Sequence, residues 1–224
     1  QDGRVHVHKV SSTPDDPGRA IMQGVTELLA RLGRQIDEVT YFAHGTTVGT
    51  NALLTNTGVP TGLITTRGFR DLLELGRGRR PDMYDPQASK PLPLVPRHLR
   101  LEVNERLRHD GTVLLPLDED EARRRIRELR DAGVKAIAVC FLYSYLDAGH
   151  ERRVAELIAE EYPEAYVSLS STVLPEFREY ERLSTVVTNA YAGPVVYGYL
   201  SRLRQKLAEL GLKPEPQVTQ SNGG

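Results

Sequence analysis

The sequence predicts an α/β protein, with helices layered on a largely parallel sheet. Three observations carry this reading. Short apolar runs of strand length alternate with amphipathic stretches of helix length, the order that builds such layers. Residues 134–142 are apolar nearly throughout, as in a parallel strand covered on both faces. Turn chemistry rich in Gly, Pro, Asp and Ser separates the runs.

Taken in order, residues 4–10 alternate apolar and polar and predict a half-buried strand. His6 and His8 fall on its polar face, where two readings stand, a shared metal or a solvated strand face. Ser, Pro and Asp over 11–17 start a helix whose stripe runs through Ala20, Ile21, Val25, Leu28, Leu29 and Leu32. Gly33 ends it. A strand at 39–43, a turn opening at His44 and a helix over 48–57 follow. Another strand is predicted at 60–65 and a short helix at 68–75.

Residues 76–117 break the rhythm. Pro81, Pro86, Pro91, Pro93 and Pro96 exclude a regular helix over most of the segment. Residues 101–107 and 113–115, either side of His109-Asp110-Gly111, predict a β-hairpin. The whole segment is expected to leave the α/β core. Asp118 then caps a helix to 132. A buried strand at 134–142, a helix at 147–162 and a strand at 166–170 complete the alternation. Residues 184–210 are mainly helical, with a kink or a break expected at Gly193-Pro194. A last strand is predicted at 217–221.

Composition bounds the function. The 224 residues are 39% hydrophobic and 26% charged, with a net charge of −1. That balance gives no electrostatic reason to bind nucleic acid or anionic lipid. The single cysteine, Cys140, excludes an internal disulfide and a cysteine metal cluster. No apolar stretch approaches the ~20 residues of a membrane span, and no leader pattern is visible. A cytoplasmic location is the expectation. P-loop, nucleophile-elbow and zinc-protease motifs do not occur, which removes the sequence basis for those classes.

Four constellations can carry chemistry. The first is His44-Gly45-Thr46-Thr47, with Thr50 and Asn51 behind it. A hydroxyl-rich turn between strand and helix presents N–H and O–H donors to a phosphate or carboxylate. The same residues serve equally to cap the helix. His44, with an unperturbed pKa of ~6.5, can act as a general base or bond a backbone group. The second runs from Gly76 to Asp85, where Arg79 and its arginine neighbours either bind an anion or pair with Asp82 and Asp85. The third is the charge cluster of Glu176, Arg178, Glu179, Glu181 and Arg182, either a solvated ion-pair network or part of a cleft. The fourth is Ser221-Asn222-Gly223-Gly224, small enough for a nucleotide to approach closely.

These segments also carry a resemblance. His44 through Ala52, then Thr61-Gly62-Leu63-Ile64-Thr65-Thr66-Arg67-Gly68-Phe69-Arg70-Asp71, resemble the N-terminal region of the hydantoinase A/5-oxoprolinase family. Arg80-Pro81-Asp82-Met83-Tyr84-Asp85, Leu174-Pro175-Glu176-Phe177-Arg178-Glu179-Tyr180-Glu181-Arg182 and Gln220-Ser221-Asn222-Gly223-Gly224 extend it, in order, over nearly the whole chain. The resemblance implies an actin, sugar-kinase and heat-shock-chaperone type of lobe, ribonuclease H-like, with an inserted Pro-rich loop and hairpin. It implies residues 1–183 as the N-terminal region, with 184–224 as a connecting helix and the start of a second domain.

ATP and a divalent cation, Mg or Mn, are the implied cofactors, and a small cyclic amide such as hydantoin or 5-oxoproline the implied substrate. A hydantoinase B-type subunit or domain is the implied partner. The implied reaction is ring opening through a phosphorylated intermediate. ATP-dependent ketone carboxylation, or a non-catalytic nucleotide-binding module, stands as the alternative. On this resemblance His44 and Glu179 are candidate catalytic residues. Gly45, Thr46, Thr47, Asn51, Ser221, Asn222, Gly223 and Gly224 are candidates for phosphate or nucleotide. Arg79, Asp82, Tyr84 and Arg182 are candidates for substrate, and no metal ligands are assigned. The chain is expected to be a fragment of a longer polypeptide.

Overall fold

The computed structural model describes residues 3–13, 16–78, 82, 84, 85, 87, 88 and 90–219. It divides into two compact units, residues 1–51 with 195–224, and residues 52–194. The expected boundary at 183/184 falls inside a single helix.

The second unit is built on a four-stranded sheet in the order β3-β2-β6-β7, formed by β2 (Thr61–Thr66), β3 (Arg100–Val103), β6 (Ala136–Cys140) and β7 (Tyr166–Leu169). All three pairings are parallel. Strand periodicity sends alternate residues to opposite faces. Ile137 and Val139 face the helices α4 (Glu119–Asp131) and α5 (Gly149–Glu161), packing with Ile126, Leu129, Val154 and Leu157. Ala136, Ala138 and Cys140 face the first half of α7 (Glu179–Leu210), where Leu183, Val186, Val187 and Ala190 close the other side. The uninterrupted apolar run thus reflects burial on both faces. Cys140 is 4% exposed, and burial pushes its thiol pKa up to about 12.

Helix starts follow the expected chemistry. Asp118 Oδ1 accepts the Glu121 N–H at 2.8 Å and caps α4. Two short helices, α3 (Leu72–Leu75) and α6 (Ser170–Val173), make turns beyond the sheet. A hairpin of β4 (Arg106–Leu107) and β5 (Val113–Leu115) leaves the core.

The first unit holds α1 (Pro17–Leu32), capped by Asp16 and closed by Gly33 at φ 63. It also holds a two-stranded parallel pair, β1 (Ala43–Gly45) with β8 (Gln217–Thr219). Its core gathers Tyr199, Leu203 and Leu207 of α7 with Ile21, Ile36, Val39, Phe42 and Val48. The chain passes between the units within α2 (Val48–Leu54) and α7.

Five expectations need correction. Residues 4–10 are not a strand; Val5 is 86% exposed, and no described strand pairs with the segment, although His8 Nε2 lies 2.7 Å from Glu27 Oε2. Alternation alone does not supply the hydrogen-bonding neighbour a strand requires. The strand expected at 39–43 forms at Ala43–Gly45, so His44 lies in a strand and not in the turn after it. Val39 and Phe42 are spent on the core of the first unit instead. The helices expected at 48–57 and 68–75 shorten to α2 and α3; Asn56 at φ 54 and Gly68 at φ 88 are left-handed and cannot continue an α-helix.

Residues 100–103 do not belong to the excursion. They form the edge strand β3, because Leu101 and Val103 bury against α4 while Glu102 stays at the rim. Finally, of the kink or break expected at Gly193-Pro194, the break does not occur: α7 runs continuously through Pro194. Gly193 is demanded by packing: an added Cβ would lie 2.8 Å from the Tyr166 hydroxyl.

Candidate functional site

In the first unit, residues 44–47 line one wall of an open cavity of about 510 Å3. α1 contributes Pro17, Ala20 and Gly24 to the lining, and α7 contributes Tyr199. His44 is half-buried, and its Nε2 lies 2.8 Å from the Tyr199 hydroxyl. Burial lowers the His44 pKa, which keeps the ring neutral at pH 7. Burial likewise raises the pKa of Tyr199. The Thr46 hydroxyl accepts the Val48 N–H at 3.3 Å, the geometry of a cap. Thr47 is exposed, and its carbonyl accepts the Asn51 N–H at 2.8 Å. Thus His44, Gly45, Thr46 and Thr47 share one wall, with Asn51 one helical turn on.

Of the remaining candidates, Asp82, Tyr84, Glu179 and Arg182 belong to the second unit. Arg79, Ser221, Asn222, Gly223 and Gly224 lie outside the described residues. Asp82 Oδ1 accepts the Tyr84 N–H at 2.8 Å, a local turn, and the Tyr84 side chain is 91% exposed. Arg77, just before this segment, pairs with Glu181.

Arg182 is only 1% exposed. Its Nε donates to Ser170 Oγ at 3.1 Å, Nη1 to the Glu176 carbonyl at 3.0 Å and Nη2 to the Phe141 carbonyl at 2.7 Å. It therefore ties the start of α7 to the end of β6. Glu179, one turn earlier, is exposed and lines the same cavity as Arg182.

Beneath this cavity lies a polar network that no sequence pattern picked out. Glu151 is fully buried; Oε1 accepts the Phe141 N–H at 3.0 Å and the Ser170 hydroxyl at 2.6 Å, and Oε2 the Ser171 N–H at 2.8 Å. The buried Glu105 accepts from Thr66 Oγ1 and lies 2.8 Å from His150 Nδ1. The Leu142 N–H donates to Thr66 Oγ1 at 3.0 Å, completing the chain. The available signal was the acidic start of α5 at His150-Glu151, but nothing in a helical stripe marks a Glu as fully buried. Among the described residues no buried side-chain polar atom lacks a partner. Nor do the described residues include a group of three or more His, Cys, Asp or Glu placed to hold a metal ion.

Comparison with known proteins gives this geometry a context. Caprolactamase subunit alpha of Pseudomonas jessenii is 37% identical over 99% of this chain and 33% of its own length. The crystal structure of ATP-dependent caprolactamase from that organism superposes with a TM-score of 0.92 over 99% of this chain. The acetone carboxylase nucleotide-free structure superposes with a TM-score of 0.86, at 28% identity, over 96% of this chain and 32% of its own. 5-Oxoprolinase 1 of Arabidopsis thaliana is 32% identical over 98% of this chain and 19% of its own length. The chain thus spans about a third or less of the length of the relatives it matches. The model of the hydantoinase/oxoprolinase N-terminal region matches residues 1–162, most of the chain, and the protein belongs to that family.

Proposed function

We propose that this chain is the N-terminal part of an ATP-dependent cyclic amidohydrolase of the hydantoinase/oxoprolinase type, folded as the first lobe of an actin-like ATPase. The observation that carries it is the likeness, along almost its whole length, to a protein described as an ATP-dependent caprolactamase. The fit of the residues supports the reading. His44, Gly45, Thr46 and Thr47 stand together on an open cavity wall at the start of α2. Bound ATP would supply a phosphoryl group to activate the lactam oxygen, with ADP as the leaving group. Ring opening would then consume two waters: one adds to the ring carbon and expels the ring nitrogen, and the second releases phosphate from the acyl phosphate so formed.

In that scheme the exposed Thr47 hydroxyl and neighbouring backbone N–H groups orient phosphate oxygens. Neutral His44, anchored on Tyr199, accepts a proton. A divalent cation belongs to the proposal, but the described residues do not assemble ligands for it and no step here is assigned to it. A hydantoinase B-type partner and a cytoplasmic setting complete the proposal. Relatives described as subunits favour the partner. No described helix is long and apolar enough to cross a membrane.

A second reading, an ATP-dependent ketone carboxylase subunit, is favoured by the fit to acetone carboxylase. One assay separates the two. The complete polypeptide, assembled with its partner, is expected to hydrolyse ATP when a lactam is added. Stimulation only by ketone with bicarbonate would select the second reading. ATP hydrolysis indifferent to both would end both.

A further inference from the structure

We propose that the carboxyl edge of the four-stranded sheet holds a site for a small carboxylate-bearing ligand, with Arg106 and Arg178 gripping the carboxylate and Glu179 accepting a ligand N–H. Parallel α/β sheets place ligands beyond the carboxyl ends of their strands. Here β2 ends at Thr66 and β6 at Cys140, and the segment leaving β6 through Leu142 and Tyr143 lines a cavity of about 470 Å3. Small-molecule sites span roughly 300–1,000 Å3.

The charge of the cavity is unusual. Arg106, Arg178 and Arg182 line it against one carboxylate, Glu179. Arg182 is buried on neutral oxygens, so no carboxylate touches its charge. Arg106 stands 5.1 Å from the Phe69 ring centroid and Arg178 5.4 Å from that of Phe177. Among the described residues neither Arg106 nor Arg178 forms an ion pair, whereas Arg123, Arg127 and Arg153 in the same unit are each held by glutamates. Glu181, the acid whose pKa Arg178 helps lower, is already engaged by Arg77. Two guanidinium forks at one cavity, each stacked on a phenyl ring and neither in an ion pair among the described residues, suit a carboxylate.

Backbone conformation gives an independent indication. Three described non-glycine residues have positive φ, and two of them, Tyr143 at 59 and Arg178 at 75, line this cavity. Such conformations are strained for a residue with a Cβ and gather at ligand sites. The ligand class follows from the lining. Phe69, Tyr143 and Phe177 offer flat apolar walls to an organic body. Glu179 repels a polyanion but accepts from an amide N–H.

The choice of a lactam as that body rests on the function proposed above; the anion site itself does not. The test is calorimetric titration of the chain, without ATP, with 5-oxoproline, with 2-pyrrolidinone, which lacks the carboxylate, and with inorganic phosphate. Saturable binding of 5-oxoproline is expected, and neither of the other two should bind over the same range. Arg106→Gln and Arg178→Gln should each weaken binding at least about tenfold, as the loss of a charge-assisted hydrogen bond implies. Glu179→Gln should weaken it less.

Melting temperatures should stay at the wild-type value. If Arg106→Gln melts early, Arg178→Gln carries the test, since its side chain is exposed. Absence of 5-oxoproline binding, equal binding of 2-pyrrolidinone or phosphate, or wild-type affinity in the arginine variants overturns the site. Because ATP is left out, none of these results bears on lactam-stimulated ATP hydrolysis, and failure of that assay leaves this one standing.

Discussion

At the scale of single residues, Thr46 and Thr47 separate a cap from a catalytic donor by magnitude. Loss of a helix cap costs about 0.5–2 kcal/mol of stability. Loss of an oriented donor to transferring charge raises a barrier by ~2.7–4 kcal/mol. In the complete enzyme, Thr46→Ala with Thr47→Ala should therefore lower lactam-dependent ATP hydrolysis by at least about a hundredfold while the protein stays folded. A lower melting temperature with an unchanged rate per folded molecule would leave the pair as a cap only, the role Thr46 already fills toward Val48. Gly62 tests packing in the same way. A Cβ there would lie 2.6 Å from Leu129 Cδ2, inside the buried face of the sheet. Gly62→Ala should cost about 1–3 kcal/mol in urea unfolding, as overpacking does. An unchanged midpoint would show that Leu129 gives way.

Between elements, α4 and α5 are clamped by charge at their exposed rims. Glu161 receives Arg127 Nε at 2.7 Å and Arg123 Nη1 at 2.9 Å. These arginines hold its pKa down at about 2. An unfolded Glu titrates near ~4.3. A carboxylate depressed in the folded state stabilises above its unfolded pKa and loses that contribution as pH falls through its folded one. Melting temperature should thus fall between about pH 4.3 and pH 2, and Arg123→Ala with Arg127→Ala should flatten that part of the profile. Arg127 is half exposed while the Glu161 side chain is 15% exposed, so the slope should shrink only in part at high salt.

Elements were the level at which the sequence was most legible. The buried strand β6, the helices α4 and α5 and the Asp118 cap stand within a few residues of their predicted positions, because apolar period and cap chemistry are local signals. Where pairing decides, local signals failed. Residues 4–10 alternate yet have no described strand beside them, and residues 100–103 join a distant β2 instead of the nearby hairpin. Gly193-Pro194 carries a breaking signal, but burial on both sides keeps α7 helical. In the candidate site, the grouping of residues 44–47 was readable as a motif, while the buried Glu105, Glu151 and Arg182 were not. Their burial depends on partners far away in sequence, such as Thr66 for Glu105 and Phe141 for Arg182.

At the scale of the molecule, the chain has two compact units and spans about a third or less of its relatives. Lactam-dependent ATP hydrolysis is accordingly proposed for the complete polypeptide, and the 224-residue chain alone should show none. Measurable turnover by the isolated chain would mean that the chemistry is complete within it. The lone thiol offers a way to watch the larger unit. Cys140 sits in an inner strand, 4% exposed, with a pKa held at about 12, so in the folded state it is neither reachable nor nucleophilic. A thiol-reactive dye can label it only when the sheet opens. With dye in modest amount, labelling speed reports the equilibrium for opening; in excess, it reports the opening rate itself. This protein thus carries a native clock for the breathing of its own sheet, read without adding a label site. A ligand at the carboxyl edge of that sheet, a few residues beyond Cys140, should slow the clock in proportion to its occupancy.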